Sequence, residues 1–126
     1  MMHLDTHVLA WLYAGALERF PAGARARLEQ EMLAISPIAL LELQYLFEIG
    51  RLTQPAQVVL DELRARLGLG ISSATLAEVV AVALSLSWTR DPFDRLIAGQ
   101  ALAEGAPLLT ADRTIREHLE LAVWDQ

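Results

Sequence analysis

Short apolar runs alternate along this chain with longer segments whose apolar residues recur at helical spacing, and Gly and Pro fall at the joins. The pattern predicts a strand over residues 1–4, a helix over 7–13, a second helix from Pro21 through Glu31, and a strand over 32–36. Pro37 opens a helix that runs to Ile49 and is closed by Gly50, and Pro55 opens another that ends at Gly68. Ile71 centres a weak strand, 75–86 is a strongly apolar helix, and 92–104 is a further helix stopped by Gly105. Strands over 108–110 and 121–124 complete the series. Alternation of this kind implies an α/β fold in one domain over 1–126, with helices on both faces of a central, mostly parallel five-stranded sheet. Such sheets bind their ligands beyond the carboxyl ends of the strands.

Four acids stand out against this frame. Asp5 directly follows the first strand and Asp112 follows the fourth, so both belong on the carboxyl edge of the sheet. Each also precedes a helical pattern, where Asp is favoured simply as an N-cap. At 100° per residue, Glu42 shares its helix face with Ile38, Ala39, Tyr45, Leu46 and Ile49, while Gln44 and Glu48 point the opposite way. A carboxylate within a buried stripe must be compensated by a metal, an arginine or hydrogen bonds, because alone it would cost several kcal/mol or become neutral. In the run from Arg90 to Ala98, Pro92 in the first helical position makes Asp91 a good N-cap. Asp94, one turn in, shares its face with Ile97, Ala98 and Ala101, and so can look into a pocket; a plain first-turn acid favoured by the helix dipole is the simpler reading.

Composition narrows the chemistry. Hydrophobic residues make up 54% of the 126, more apolar surface than one small core easily hides, which predicts a surface for self-association or a partner. No apolar run approaches the ~18–20 residues of a membrane span. The N-terminus lacks the basic start and long apolar segment of a secretory signal, so a soluble, cytoplasmic protein is expected. The absence of cysteine excludes thiol nucleophiles and cysteine zinc sites, and because all ten basic residues are arginine, lysine mechanisms are excluded too. His3, His7 and His118 are spread over different elements and predict no zinc site. A net charge of −6 opposes nonspecific coating of nucleic acid, but an acidic pocket neutralised by a divalent cation can still act on a phosphodiester.

Leu4-Asp5-Thr6-His7-Val8-Leu9, Ser36-Pro37 with Leu41-Glu42, the run Arg90-Asp-Pro-Phe-Asp-Arg-Leu-Ile-Ala98, and Leu109-Thr-Ala-Asp112 occur in the order and frame of the PIN-domain toxins of the VapC type, which this chain resembles over nearly its whole length. The resemblance implies a PIN-like three-layer sandwich. It carries over Asp5, Glu42, Asp94 and Asp112 as the acidic cluster that binds Mg²⁺ or Mn²⁺; within it Asp5, Asp94 and Asp112 are expected to hold the metal and Glu42 to orient the attacking water or a metal water. Thr6 and Thr110 match hydroxyl positions near the acids, and Asp91 supports without belonging to the quartet. Arg90, Arg95, Arg113 and Arg116 flank the acids in sequence and are candidates for substrate phosphates or for solvated ion pairs. The implied activity is metal-dependent endonucleolytic cleavage of RNA leaving a 5′-phosphate, by a homodimer restrained by a cognate VapB-like antitoxin. Thr89 stands where a histidine often precedes the acidic run, and Leu41 where a tryptophan often precedes the glutamate; both bear on pocket shape rather than on the acids. Two other readings fit such a frame: a noncatalytic PIN-fold scaffold, and a phosphatase-like domain on a doubly wound sheet, whose usual lysine is missing here.

Overall fold

The computed structural model describes residues 1–125. Five strands, β1 (Met2–Leu4), β2 (Leu33–Ile35), β3 (Gly70–Ile71), β4 (Leu108–Leu109) and β5 (Ala122–Val123), form one sheet in the order β3-β2-β1-β4-β5. Every pairing is parallel, so the sheet is wholly rather than mostly parallel. The helices are α1 (Thr6–Ala14), α2 (Ala22–Gln30), α3 (Pro37–Glu48), α4 (Ala56–Leu67), α5 (Leu76–Ala83), α6 (Pro92–Glu104) and α7 (Arg113–His118). A 3-10 turn over Leu17–Arg19 was not foreseen from the apolar pattern.

The strand order explains the architecture. The chain steps outward from β1 through β2 to β3, then returns past β1 to lay down β4 and β5 on the other side. That reversal moves the connecting helices to the opposite face of the sheet and opens a crevice where β1 and β4 diverge at their carboxyl ends. β1 and β2 are buried along their whole length, so β2 reads as a continuous apolar run, Leu33-Ala34-Ile35, and β1 carries a buried His3 between Met2 and Leu4. The core gathers Met2 and Leu4 of β1, Ile35 of β2, Leu43 of α3, Leu63 of α4, Ile97 of α6 and Leu108 and Leu109 of β4.

Punctuation acts as the spacing predicts. Ser36 caps α3 by accepting from Ile38 N–H at 3.1 Å, with Pro37 in the first turn. Gly68 and Gly105 end α4 and α6 in the left-handed conformation, at φ 66° and 62°. The apolar segment expected as a helix over 75–86 ends early at Ala83. Arg95 donates from Nε to the Ala83 carbonyl at 2.8 Å and from Nη2 to the Leu84 carbonyl at 3.0 Å, while Ser85 Oγ donates to the Val82 carbonyl. Side chains thus take the carbonyls at the helix end. α6 lies so close to α5 that a Cβ built on Gly99 would meet the Val79 carbonyl oxygen at 3.1 Å and the Ala83 Cβ at 3.2 Å.

One expectation about α3 needs correction. Its buried stripe is Ala39, Glu42, Leu43 and Leu46, whereas Tyr45 and Ile49 are exposed and Ile38 is half-buried. Glu42 therefore lies at the border of the core rather than in its middle: beyond it on the helix face Tyr45 and Ile49 are exposed, although the Phe93 ring of α6 approaches Tyr45, with ring centroids 5.7 Å apart.

Candidate active site

Asp5 begins α1 at the carboxyl end of β1, on the central strand. Its Oδ1 accepts from Thr6 N–H at 2.8 Å and its Oδ2 from the Thr110 hydroxyl at 2.6 Å. Thr110, wholly buried after β4, also accepts from Asp112 N–H at 3.0 Å, so one hydroxyl joins the two loops that carry Asp5 and Asp112. Asp112 caps α7 through Oδ1, which accepts from Ile115 N–H at 2.9 Å. Both aspartates are therefore N-caps, and this does not compete with a role in the crevice: a carboxylate has two oxygens and about four acceptor sites.

Asp94 and Glu42 arrive from α6 and α3. Asp91 caps α6 with one oxygen that accepts from Phe93 N–H at 2.8 Å and Asp94 N–H at 3.1 Å. The two helices are joined below the site by a buried polar link. Ser36 Oγ donates to Gln100 Oε1 at 3.1 Å, and Gln100 Nε2 donates to Glu104 Oε2 at 2.7 Å. Glu104 lies 3.8 Å from His3 Nε2, which also meets Ser72 Oγ at 3.0 Å. Burial lowers the His3 pKa against the pull of Glu104. These contacts tie β1, α3 and α6, the elements that carry three of the four acids.

The carboxylates feel one another. Burial, and then the charges of Asp5, Asp91, Asp112 and Glu42, raise Asp94 to about 7. Burial raises Asp5, against its bonds from Thr110 and Thr6, with Asp112 adding to the rise. Burial raises Glu42, with Asp5 and Asp91 adding to it. The Thr6 hydroxyl lies close enough to favour the charged form of Glu42, yet no hydrogen bond of ordinary geometry joins them. Thr6 Oγ1 and Glu42 Oε1 are both buried without a partner. Mutually repelling carboxylates beside two orphaned oxygens form a donor set that suits a hard divalent cation with its waters. Among the described residues no three acidic or histidine side chains converge as a direct cage for a metal ion.

The flanking arginines are not gathered with the acids. Arg95 is engaged at the end of α5, Arg113 pairs with Glu117 at 3.3 Å, and Arg116 pairs with Asp125 at 3.1 Å. Arg90 is exposed and makes no ion pair among the described residues. Two neighbours of the acids escaped the sequence reading. The charge of His7 acts on both Asp5 and Glu42, and Trp11 lines a cavity with Asp5 and Asp112. Their signal was present as an i, i+4 aromatic pair following Asp5 on α1.

An all-parallel sheet flanked by helices, with Asp5 and Asp112 following the adjacent strands β1 and β4, defines the class: a doubly wound α/β domain. The PIN-domain model matches residues 2–119, and the chain belongs to the PIN-domain family. It is 35% identical over 118 residues to Ribonuclease VapC22 of Mycobacterium tuberculosis, covering 91% of this chain and 89% of that protein. The fold matches that of VapBC2 from Rickettsia felis, solved bound to a DNA fragment from its promoter, with a TM-score of 0.68, 24% identity, and coverage of 99% of this chain and 100% of that one. It also matches that of DNA-bound VapBC from Salmonella typhimurium, with a TM-score of 0.66, 23% identity, and coverage of 96% and 93%.

Proposed function

We propose that this protein is a metal-dependent endoribonuclease toxin of the VapC type, held in check by a VapB-like antitoxin. The observation that supports the reading is that Asp5, Glu42 and Asp112 all act on the charge of Asp94, beside the unpaired Glu42 Oε1 and Thr6 Oγ1. The 35% identity to a named ribonuclease supports the activity. Asp5, Asp94 and Asp112 would hold Mg²⁺ or Mn²⁺, partly through water. Such an ion supplies positive charge at the scissile phosphate and acidifies a nearby water.

Each residue then has a defined task. Thr110 holds Asp5 and the Asp112 loop in register. Glu42, raised by burial toward the pKa range of an effective base, directs its free oxygen at the attacking water and takes up its proton. The water oxygen forms a bond to phosphorus, the bond to the 3′ oxygen breaks, and that oxygen takes a proton from solvent, so the products carry a 3′-hydroxyl and a 5′-phosphate. Of the four flanking arginines, Arg90 is the one with its guanidinium uncommitted and available to a substrate phosphate. A homodimer is the expected assembly, consistent with the exposed Leu41, Tyr45, Leu76 and Leu84.

Cleavage of a mixed pool of cellular RNA, by protein freed of any copurifying partner, tests the proposal. Activity should require Mg²⁺ or Mn²⁺, disappear with EDTA, and fall at least about a hundredfold in Asp94→Asn. An inert wild type would favour a noncatalytic scaffold, and release of phosphate from monoesters without RNA cleavage would favour a phosphatase.

A further inference from the structure

Aromatic residues are scarce in this chain, at 6%, yet several meet beside the acids. His7 and Trp11 lie one turn apart on α1, with ring centroids 6.4 Å apart. Trp11 packs edge-on against Phe20 at 6.0 Å and lies 6.0 Å from Trp124, which in turn lies 5.5 Å from Phe20. A cavity of about 210 Å³ is lined by Asp5, Asp112 and Ala111 together with His7 and Trp11. The acids that would engage the phosphate and the aromatic rings therefore share one hollow. Only Phe20 of this group is buried; His7 is exposed and Trp11 half-buried, so both keep ring surface toward solvent. The Arg19 guanidinium sits 5.0 Å from the centre of the Trp11 ring and makes no ion pair among the described residues.

We propose that His7 and Trp11 form a subsite that stacks one unpaired base of single-stranded RNA next to the phosphodiester engaged by the acids, with Arg19 facing the neighbouring phosphate. The inference rests on the ribonuclease reading and deepens it. A phosphodiester placed at Asp5 and Asp112 has its adjoining nucleotide within reach of the same cavity. Aromatic faces accept any base and hold it by stacking, whereas a base paired in a duplex cannot present its face. Arg19, which lies over the Trp11 ring, supplies a positive charge next to a lining residue of the hollow, and so a backbone attraction that the net charge of −6 opposes. The subsite thus selects unpaired RNA without reading its sequence.

The test combines side-chain and base deletion. KM and kcat are measured on a single-stranded oligoribonucleotide cut by the wild type, and on twins carrying an abasic residue on either side of the cut. Wild type, His7→Ala, Trp11→Leu and Trp11→Phe are compared, with thermal unfolding checked for each. On the intact strand His7→Ala and Trp11→Leu should raise KM about five- to a hundredfold, with kcat within about twofold in Trp11→Leu, and Trp11→Phe should recover most of the loss. On one abasic twin the wild type should fall to the level of the variants. Equal ratios of variant to wild type on intact and abasic strands would overturn the subsite while leaving the nuclease intact. If the wild type cleaves no RNA, the nuclease reading fails on its own. Binding of the intact and abasic strands, followed by fluorescence anisotropy, then decides the subsite, and indifference to the missing base overturns it.

Discussion

Burial and four neighbouring carboxylates raise Asp94 from 3.8 to about 7. Because the unfolded chain ionises first as pH rises, the protonated group contributes stability in full below 3.8 that is lost by about pH 7. In EDTA, the loss of stability between about pH 5.5 and 8 should therefore be smaller in Asp94→Asn than in wild type. Allowing for the solvent that screens a half-buried group, the difference should be about 1 kcal/mol in urea unfolding. The lowered pKa of His3 acts in the opposite direction in both proteins, and the raised Asp5 and Glu42 act in the same direction, so the comparison reads Asp94 together with its coupling to those two acids. Added Mg²⁺ should stabilise the wild type more at the higher pH, where the acids are ionised. Thr110→Val removes the donor to Asp5 Oδ2 and the acceptor for Asp112 N–H. Loss of about 1–3 kcal/mol and weaker Mg²⁺ binding are expected, measured by thermal unfolding and calorimetry. Unchanged metal affinity would show that the hydroxyl serves the fold alone.

At the scale of elements, α6 is the part that others are built around. It carries Asp94 at one end, Gly99 against α5 in the middle, and Gln100 and Glu104 on the polar link to Ser36 and His3. Gly99→Val would drive two methyl groups into the Val79 carbonyl and Ala83. It should cost about 1–3 kcal/mol, or shift α6, and Asp94 with it, enough to lower kcat. The short α7 and the turn at Leu17–Arg19 were the elements least visible in the apolar pattern. Each has at most one buried residue, so periodicity had little to report, and the Asp112 cap was the clearest local sign of α7. The apolar helix over 75–86 was overextended for a related reason. Its end is set by Arg95, a residue of α6, and no local pattern records a clamp from another element.

At the scale of the whole molecule, two apolar stripes stay uncovered. Leu41, Tyr45 and Ile49 follow α3, and Leu76, Val80 and Leu84 follow α5 into its first loop residue. The apolar excess in the composition is thus located on the surface, where burial in an assembly would gain ~25 cal/mol per Å² of apolar area. Sedimentation should find a dimer for wild type, and a monomer for a variant carrying Leu76→Asp and Leu84→Asp, with thermal unfolding confirming that the variant is folded. Among the described residues no helix is long and apolar enough to cross a membrane.

The sequence by itself determined the alternation of strands and helices, most of their boundaries, and the caps at Asp5, Asp91 and Asp112. Those features are local: apolar periodicity, proline and glycine conformation, and short acidic motifs are all written within a few residues. Only the tertiary structure decided that Thr110 joins Asp5 to the Asp112 loop, that Tyr45 and Ile49 face solvent, and that Arg95, Arg113 and Arg116 are engaged elsewhere. It alone put Trp11 in the same hollow as Asp112. Each of these depends on which element lies against which, and that is settled by the order of strands in the sheet and the packing of α6, over distances in sequence that no local pattern spans.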